Sequence, residues 1–359
     1  MQDKDAVSLT IAGHLHRDWT RASIDSDLFT PADAWQVGLG IPAAQLPEWI
    51  RPWAPVEVRV GDALVLSGRI DAIRRTIRKD ALELTLSGRD GAAVLLDCSA
   101  PIKTRRDVTV EEVCALIVRP LGIDRIEVQA GGAPRKKVSV EPGMTAWEAL
   151  TRAAEASGLW PWFTPDGVLK VAAPDYSRPA DAELLCAFDG TKNNVLSVEY
   201  ETDISRRYSE VTVLGQSVGN EDDEAQNAIS GRAWDALAWF QRPLIRDEGH
   251  IDSIAEAKTR AKKILSDSVF EYRTITVEVR GHRTDSGELW EPGMHIRLRV
   301  EGLCETDNLL ARRTLRAGRE GRTTTLTLKP WGLWLPDTSK KPKKKKKRGK
   351  QDDDEWGLD

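Results

Sequence analysis

Residues Val56–Ala100 read VEVRVGDALVLSGRIDAIRRTIRKDALELTLSGRDGAAVLLDCSA and carry the clearest structural pattern in this chain. Apolar and polar residues alternate over Val56–Val60 and again over Leu82–Ser87. A period of two is typical of a β-strand with one solvated face. Gly61-Asp62 suits a tight hairpin, because glycine tolerates positive φ and an Asp side chain can bond its own backbone. The stretch therefore predicts a small antiparallel β unit.

A second region near the C-terminus has the same layout. Ile275–Val279, Ile296–Val300 and Thr323–Leu328 alternate in the same way, and Pro292-Gly293 precedes a strand as Gly61-Asp62 does. We therefore expect two related antiparallel β-barrel domains. Further strands are predicted at Trp19–Asp27, Val195–Tyr200 and Ser209–Leu214, whereas Pro31–Pro55, rich in Pro and Trp, is expected to be irregular.

Two helices between these β regions have recognisable starts. Thr109 is followed three residues later by Glu112, and Thr145 by Glu148, which is the capping-box pattern. A third box at Ser253 starts a linking helix. The fold class is thus mainly β with an α+β insertion, that is, two β-barrel domains plus a small α+β domain. The predicted limits are 1–99 for the first β domain, 100–178 for the insertion, 179–335 for the second β domain with its linking helix at 253–267, and 336–359 for a disordered tail.

Composition narrows the class of protein. The chain has 359 residues and a net charge of −4, with no apolar run of about 18 residues and no apolar core in its charged N-terminus. We expect neither a signal peptide nor membrane insertion. Four scattered cysteines suit packing as small apolar residues rather than a disulfide framework.

Charge is distributed unevenly along the chain. Residues 340–350 contain nine basic residues and residues 352–359 five acidic ones, so the tail carries +4 and the body −8. An acidic body argues against a nucleic-acid-binding core. The tail is either a solvated segment or a contact for polyanions. The candidate contacts are Lys343, Lys344, Lys345, Lys346, Lys347 and Arg348.

No catalytic or cofactor motif stands out. His14 and His16 could form half of a metal site, although a polar loop is the simpler interpretation. The acidic run 221–224 lacks the spacing of a calcium loop. Thirteen tryptophans suit packing at barrel ends, subunit interfaces or sugar stacking. We therefore expect a protein without cofactors that is not an enzyme.

Several segments resemble the baseplate hub proteins of Mu-type contractile phage tails, the late control D-like family. They are Gly61–Ala100, Val140–Leu150, Ser205–Gly215 with Gln216, Arg242–Ile245, Leu289–Gly293 and Leu309–Leu328, in the order of the family. The resemblance spans about residues 5–335. Two departures are the segment IRRTIRKD (Ile73–Asp80), which is more basic than the family pattern, and the charged tail after Pro336.

The resemblance implies a structural protein whose domains are like those of the tail tube. Family hubs form a homotrimeric ring that adapts the sixfold tail tube to the threefold central spike. The implied partners are the tail tube protein, the spike and other baseplate proteins, with DNA passing without sequence specificity. The implied location is the virion baseplate, assembled in the cytoplasm of the bacterial host. Candidate subunit contacts are Arg69, Asp71, Asp90 and Trp290.

Two alternatives from other classes stay open. One is a peptidoglycan-acting or glycan-binding tail protein, suggested by Trp160 and Trp162 in the insertion. The other is a nucleic-acid-binding protein that uses the lysine tail.

Overall fold

The computed structural model describes residues 4–17, 19–39, 47–79, 81–101, 104–105, 109–129, 138–140, 143–216, 228–248, 251 and 253–338. These residues divide into two compact units. The first contains the residues up to Arg207 and those from Ser266 to Thr338, and the second contains Tyr208–Leu265. Helix α4 (Ile254–Tyr272) includes the boundary between the two units.

Among the described residues far more lie in strands than in helices, which confirms the predicted mainly β class with an α+β insertion. The strands are β1 (Val7–Ile11), β2 (His14–His16), β3 (Arg21–Asp27), β4 (Ala34–Leu39), β5 (Pro55–Val60), β6 (Ala63–Arg78), β7 (Ala81–Asp90), β8 (Thr104–Arg105), β9 (Ile126–Val128), β10 (Val138–Ser139), β11 (Trp160–Phe163), β12 (Leu169–Ala172), β13 (Ala182–Cys186), β14 (Ser197–Thr202), β15 (Glu210–Gln216), β16 (Ala228–Trp234), β17 (Pro243–Asp247), β18 (Arg273–Arg280), β19 (His295–Val300), β20 (Cys304–Gly318) and β21 (Gly321–Pro330). The other α-helices are α1 (Ala93–Asp97), α2 (Val110–Ile117) and α3 (Ala146–Glu155), and short 3-10 helices lie at Arg119–Leu121 and Ile204–Arg206. None of the helices in the described ranges is long and apolar enough to cross a membrane.

Thirteen strands of the first unit form one sheet. Eleven of them follow the order β14-β18-β21-β20-β3-β4-β7-β6-β5-β1-β2, while β19 pairs with β20, and β13 with β19. Two related β-barrel domains were expected, and the structure joins strands from both β regions in one sheet through the pair β3–β20. No pair that closes either half into a ring is detected within the described residues.

The apolar residues of the alternating strands form the core of this sheet. Val56, Val58 and Val60 on β5 are at most 2% exposed and pack with Leu86 of β7. The second half has its own core around Val277 and other residues of β18 to β21. Each core buries one face of its strands, as the period of two predicts.

The segment Pro31–Pro55, expected to be irregular, contains strand β4. Trp35 on β4 is 2% exposed, and Val37 and Leu39 are buried in the same core. The prediction failed because the proline- and tryptophan-rich surroundings outweighed a short alternation of apolar and polar residues.

The two halves of the main sheet repeat each other at a spacing of 240 residues. Val37 lies opposite Leu86 in the first half, and Val277 lies opposite Leu326 in the second. Position 277 is 240 positions after 37, and 326 is 240 positions after 86. The duplication inferred from the sequence is therefore present in the strand register.

The repeat extends to individual backbone hydrogen bonds. The N–H of Trp53 donates to the carbonyl of Ile70 at 2.8 Å, and that of Gly293 donates to Leu310 at 2.7 Å. Both donors have positive φ, 72° and 97° respectively. Gly293 is thus the equivalent of Trp53 and not of Gly61, which corrects the correspondence drawn from the sequence pattern.

The insertion packs its helices on a small sheet. Strand β12 pairs with β11 and with β9, and the core includes Leu150 of α3 and Leu169 of β12, both fully buried. The capping boxes at Thr109 and Thr145 are both present, so these two predictions are confirmed.

The second unit is a three-stranded sheet with β15 at its centre, antiparallel to β16 and parallel to β17. Val211 and Val213 are fully buried with Ala257 of α4. A Cβ on Gly231 would lie 2.2 Å from the backbone of Ala257, so the close packing of strand and helix requires glycine there. The Ser253 hydroxyl accepts a bond from the Glu256 amide at 3.3 Å, as its predicted cap requires. Helix α4 ends at Tyr272, beyond the expected 267.

Candidate functional site

Arg69 and Asp71 lie on β6 where the strand passes an irregularity in its pairing. The Arg69 guanidinium lies 4.7 Å from the centroid of the exposed Trp53 ring, a cation–π contact. Asp71 accepts from Arg89 at 2.6 Å, and Arg89 also binds Asp97 at 2.7 Å. Both predicted contact residues therefore lie in a charged surface region, and their role at a subunit interface stays a prediction.

Asp90, another predicted contact, lies at the end of β7 beside a cavity. The Oδ1 atom of its carboxyl group accepts from the Ala92 amide at 2.8 Å. Burial, together with the neighbouring carboxylate of Asp33, raises the pKa of Asp90 to about 8. Burial likewise raises the pKa of Asp33 to about 6. Asp90 is thus a half-buried acid that holds a proton near neutral pH.

The cavity measures about 100 Å³ and has charged groups in its wall, among them Asp33, Asp90, Glu291 and Arg313. The Arg313 side chain is buried and donates to the carbonyl of Trp290. Burial lowers the pKa of Arg313, which nearby acidic groups partly offset. Sequence reasoning missed Asp33 and Arg313, because nothing in their local pattern marks them as buried.

Trp290, the fourth predicted contact, is 3% exposed and belongs to the core of the second half. Its carbonyl orients Arg313, so its place in this chain is structural. A contact of Trp290 with a neighbouring subunit stays a prediction.

The other singled-out residues take part in packing. The rings of His14 and His16 both pack against Trp49. Their centroids lie 4.5 Å and 4.9 Å, respectively, from the centroid of the Trp49 ring. No cluster of three metal-ligand side chains occurs in the part of the chain that the structure describes. Trp160 packs edge-on against Trp334 at 5.1 Å. The predicted polyanion contacts, Lys343 to Arg348, lie outside the described residues.

Two strand segments of the main sheet are each paired on one side only, and both are candidate contact surfaces. The sequence analysis did not identify either of these segments. The first is residues 72–78 of β6, hereafter the open half of β6, which pair with β7 on one side. The second is β14, which pairs with β18 on one side. For neither is a second strand partner found among the described residues. The unusually basic segment Ile73–Asp80 was the available signal for the first edge.

Four family models match the chain in sequence order. They are Mu phage baseplate assembly protein GpP-like, N-terminal (residues 6–90); baseplate hub protein gp44-like, second domain (92–173); tail protein NMB1110-like, third domain (207–265); and tail protein, C-terminal domain (267–333). The resemblance drawn from the sequence is thereby confirmed.

Whole-chain similarities agree with the family models. The baseplate hub protein gp44 of Escherichia phage Mu is 26% identical over 347 residues, which cover 91% of this chain and 88% of that protein. A tail protein from Neisseria meningitidis MC58, known from its crystal structure, is 34% identical in sequence to this chain. The two structures superpose with a TM-score of 0.80 over 93% of this chain and 99% of that one. The 43 kDa tail protein of prophage MuSo2 from Shewanella oneidensis, at 21% identity, has the same fold with a TM-score of 0.80 over the same shares of the two chains. This chain belongs to the family of baseplate hub and tail proteins of Mu-like phages and prophages.

Proposed function

We propose that this chain is the hub of a contractile tail, in which three copies form a ring around the tail axis. Each chain supplies two similar half-sheets, so three chains present six. Such a ring matches a sixfold tail tube on one side and a threefold central spike on the other. The observation that supports this proposal is the 240-residue repeat, whose two halves share the same strand register.

Symmetry gives this arrangement a physical basis. A closed ring uses the same interface at every subunit boundary, and it covers strand edges that would otherwise be templates for aggregation. The open half of β6 and β14 are edges of this kind. A trimer therefore suits a chain whose described residues include such an edge in the first half, the open half of β6, and another in the second half, β14.

The proposed partners follow from this position in the tail. They are the tail tube protein, the central spike protein and other baseplate proteins, met during assembly in the host cytoplasm. DNA would pass through the ring without sequence-specific contacts. The body charge of −8 supports this, because an acidic surface does not retain a polyanion.

The four predicted contact residues take different proposed roles. Arg69 and Asp71, at the surface of β6, are proposed to meet a neighbouring subunit. Asp90 and Trp290 lie deeper, and we propose that they support the contact by fixing the loops around the cavity.

No catalytic role is part of this proposal. Pockets that hold small ligands measure about 300–1,000 Å³, whereas the cavity beside Asp33 and Asp90 measures about 100 Å³. A zymogram in which the purified protein clears cell walls would favour the glycan-directed alternative.

Mass in solution tests the ring. Light scattering after size exclusion is expected to give three times the chain mass of 39.9 kDa, and two-dimensional particle averages are expected to show a ring with six similar lobes. A monomer at all micromolar concentrations, with or without the tube and spike proteins, would contradict the proposal.

A further inference from the structure

The pair β3–β20 is a junction between the two halves of the main sheet within one chain. Residues 312–318 of β20 run antiparallel to residues 21–27 of β3. Arg312 donates through Nε to Asp25 at 2.8 Å, and the Thr314 hydroxyl donates to the same carboxylate at 2.8 Å. At this junction a basic strand edge meets an acidic one.

The open half of β6 is the equivalent of the junction segment of β20. Arg313 lies opposite Leu326, and Ile73 lies opposite Leu86. Both members of the first pair are 240 positions after those of the second. The open half of β6 therefore sits on β7 as residues 312–318 sit on β21.

Strand β14 is likewise the equivalent of β3. Ile24 on β3 lies opposite Trp35 on β4. Tyr200 on β14 lies opposite Ile275, the residue 240 positions after Trp35. Tyr200 is therefore the equivalent of Ile24, and both halves of the junction have a second copy in the chain.

Among the described residues these second copies do not pair with each other. Within the described residues β14 pairs with β18 alone, and the open half of β6 pairs with β7 alone. The cost of leaving this edge open is visible at Ile77, which is 80% exposed. Its equivalent Ala317, which β3 covers, is 5% exposed.

The two open edges also carry opposite charges. Arg74, Arg75 and Arg78 lie on the open half of β6, and Glu199 and Glu201 lie on β14. None of these five side chains has an ion-pair partner within the described part of the chain. The polarity is the same as at the junction, with β20 basic and β3 acidic. Charge thus points to the same pairing as the repeat, and it does so independently.

We infer that the open half of β6 in one copy pairs antiparallel with β14 of a second copy of this chain, with Arg75 opposite Tyr200. The register is that of the junction, where Leu315 lies opposite Ile24. The inference rests on the proposed ring and adds to it which strands meet and in what register.

In this register oppositely charged side chains face each other, and so do apolar side chains. Arg74 lies opposite Glu201, the equivalent of Asp25 at the junction. Ile77 lies opposite Val198, so the exposed isoleucine is covered by an apolar neighbour. A shift of one residue would put Ile77 and Val198 on opposite faces of the sheet and lose the apolar pair.

Disulfide formation between copies tests the register. Cysteines placed directly opposite each other on neighbouring strands are close enough to be bridged. The double variant Ile77→Cys with Val198→Cys is expected to form covalent dimers and trimers on a non-reducing gel. The matched control is Thr76→Cys with Val198→Cys, whose side chains point to opposite faces, and it is expected to cross-link roughly tenfold less. The single variants measure the background from the four native cysteines.

Charge reversal provides a second test. Arg74→Glu and Glu201→Arg are each expected to shift the trimer towards monomer, and the double variant is expected to restore the trimer. The matched control is Arg280→Glu, which reverses an exposed arginine at the end of β18 that lies opposite Thr323 of β21 and outside the β14–β18 pairing. We expect this control to leave the trimer intact.

The results of these two tests distinguish failure of the proposed strand register from failure of the proposed ring. A trimer that tolerates both single reversals and does not link position 77 with 198 overturns the register but leaves the proposed ring. Equal cross-linking in the control pair also overturns the register. A protein that is monomeric by mass and gives no cross-link overturns both proposals.

Discussion

Asp90 illustrates how burial changes what a single residue does. Its carboxyl lies in the wall of a small cavity close to Asp33, and burial raises its pKa to about 8. In the unfolded chain the same group titrates near 4. The folded state therefore favours the protonated form. The contribution of Asp90 to stability is complete below about pH 4 and is lost as the pH rises towards 8.

Replacing Asp90 by Asn is expected to make the protein more stable at high pH. Over this window the wild-type free energy of unfolding falls by about 1.4 kcal/mol per pH unit because of Asp90, whereas an amide does not ionise and keeps the acceptor for Ala92. Urea unfolding should show that Asp90→Asn gains roughly 3 kcal/mol relative to wild type between pH 5 and pH 8.

Asp97→Asn is the control for this experiment. Hydrogen bonds from Arg89 lower the pKa of Asp97, which gives a pH dependence of the opposite sign. We therefore expect the control to be destabilised at neutral pH. A gain from Asp90→Asn that does not change with pH would contradict the assigned protonation.

At the scale of elements, the capping boxes connect local sequence to tertiary packing. The Thr145 hydroxyl accepts from the Glu148 amide at 3.1 Å, and the Thr145 amide donates to the Glu148 carboxylate at 2.9 Å. Both bonds satisfy donors that the start of α3 leaves without partners. The helix so fixed places Leu150, which is fully buried, in the core of the insertion.

Thr145→Ala is expected to destabilise the protein by about 1 kcal/mol, because it removes the acceptor for the first turn of α3. Chemical denaturation monitored by circular dichroism measures the loss. Thr145→Ser keeps the hydroxyl and should retain most of the stability. If the serine variant lost as much as the alanine variant, the hydroxyl would not be the stabilising group.

Local sequence patterns identify strands but do not predict how the strands pair. The alternations over Val56–Val60 and Ile275–Val279 identified strands correctly, because alternation is a property of neighbouring residues. Strand β4 was missed because proline and tryptophan nearby suggested irregular structure. Strand β13 pairs in parallel with β19, and this pairing has no local signal at all.

At the scale of the whole molecule, the proposed ring links three features: the repeat, the two open edges and the acidic body. Each chain joins its halves at β3–β20, and the equivalent edges have no second strand partner in the part of the chain that the structure describes. Repeating that junction between chains would make the subunit boundaries resemble the boundary inside each chain.

The lysine tail provides a separate prediction for the whole chain. Deleting residues 339–359 removes the candidate polyanion contacts Lys343 to Arg348. Retention of duplex DNA at low salt is expected to fall. The salt dependence of binding is also expected to weaken, because the logarithm of the binding constant falls with the logarithm of the salt concentration by about 0.9 for each phosphate contacted.

The matched control for the tail deletes residues 351–359 alone. This removes the five acidic residues and keeps the basic ones, so DNA retention should rise. Identical retention by the full chain and both truncations would show that the tail is a solvated segment without a role in DNA contact.

The sequence by itself determined the mainly β class, the helix starts and the family, because these depend on residue spacing over a few positions or on the order of motifs. Tertiary structure alone decided that both β regions share one sheet, that Asp33 and Asp90 lie beside one cavity, and which edges stay open. These properties depend on contacts between residues far apart in the chain. The pairing of Ile24 with Leu315 and the burial that raises the pKa of Asp90 arise only when the folded chain brings distant segments together.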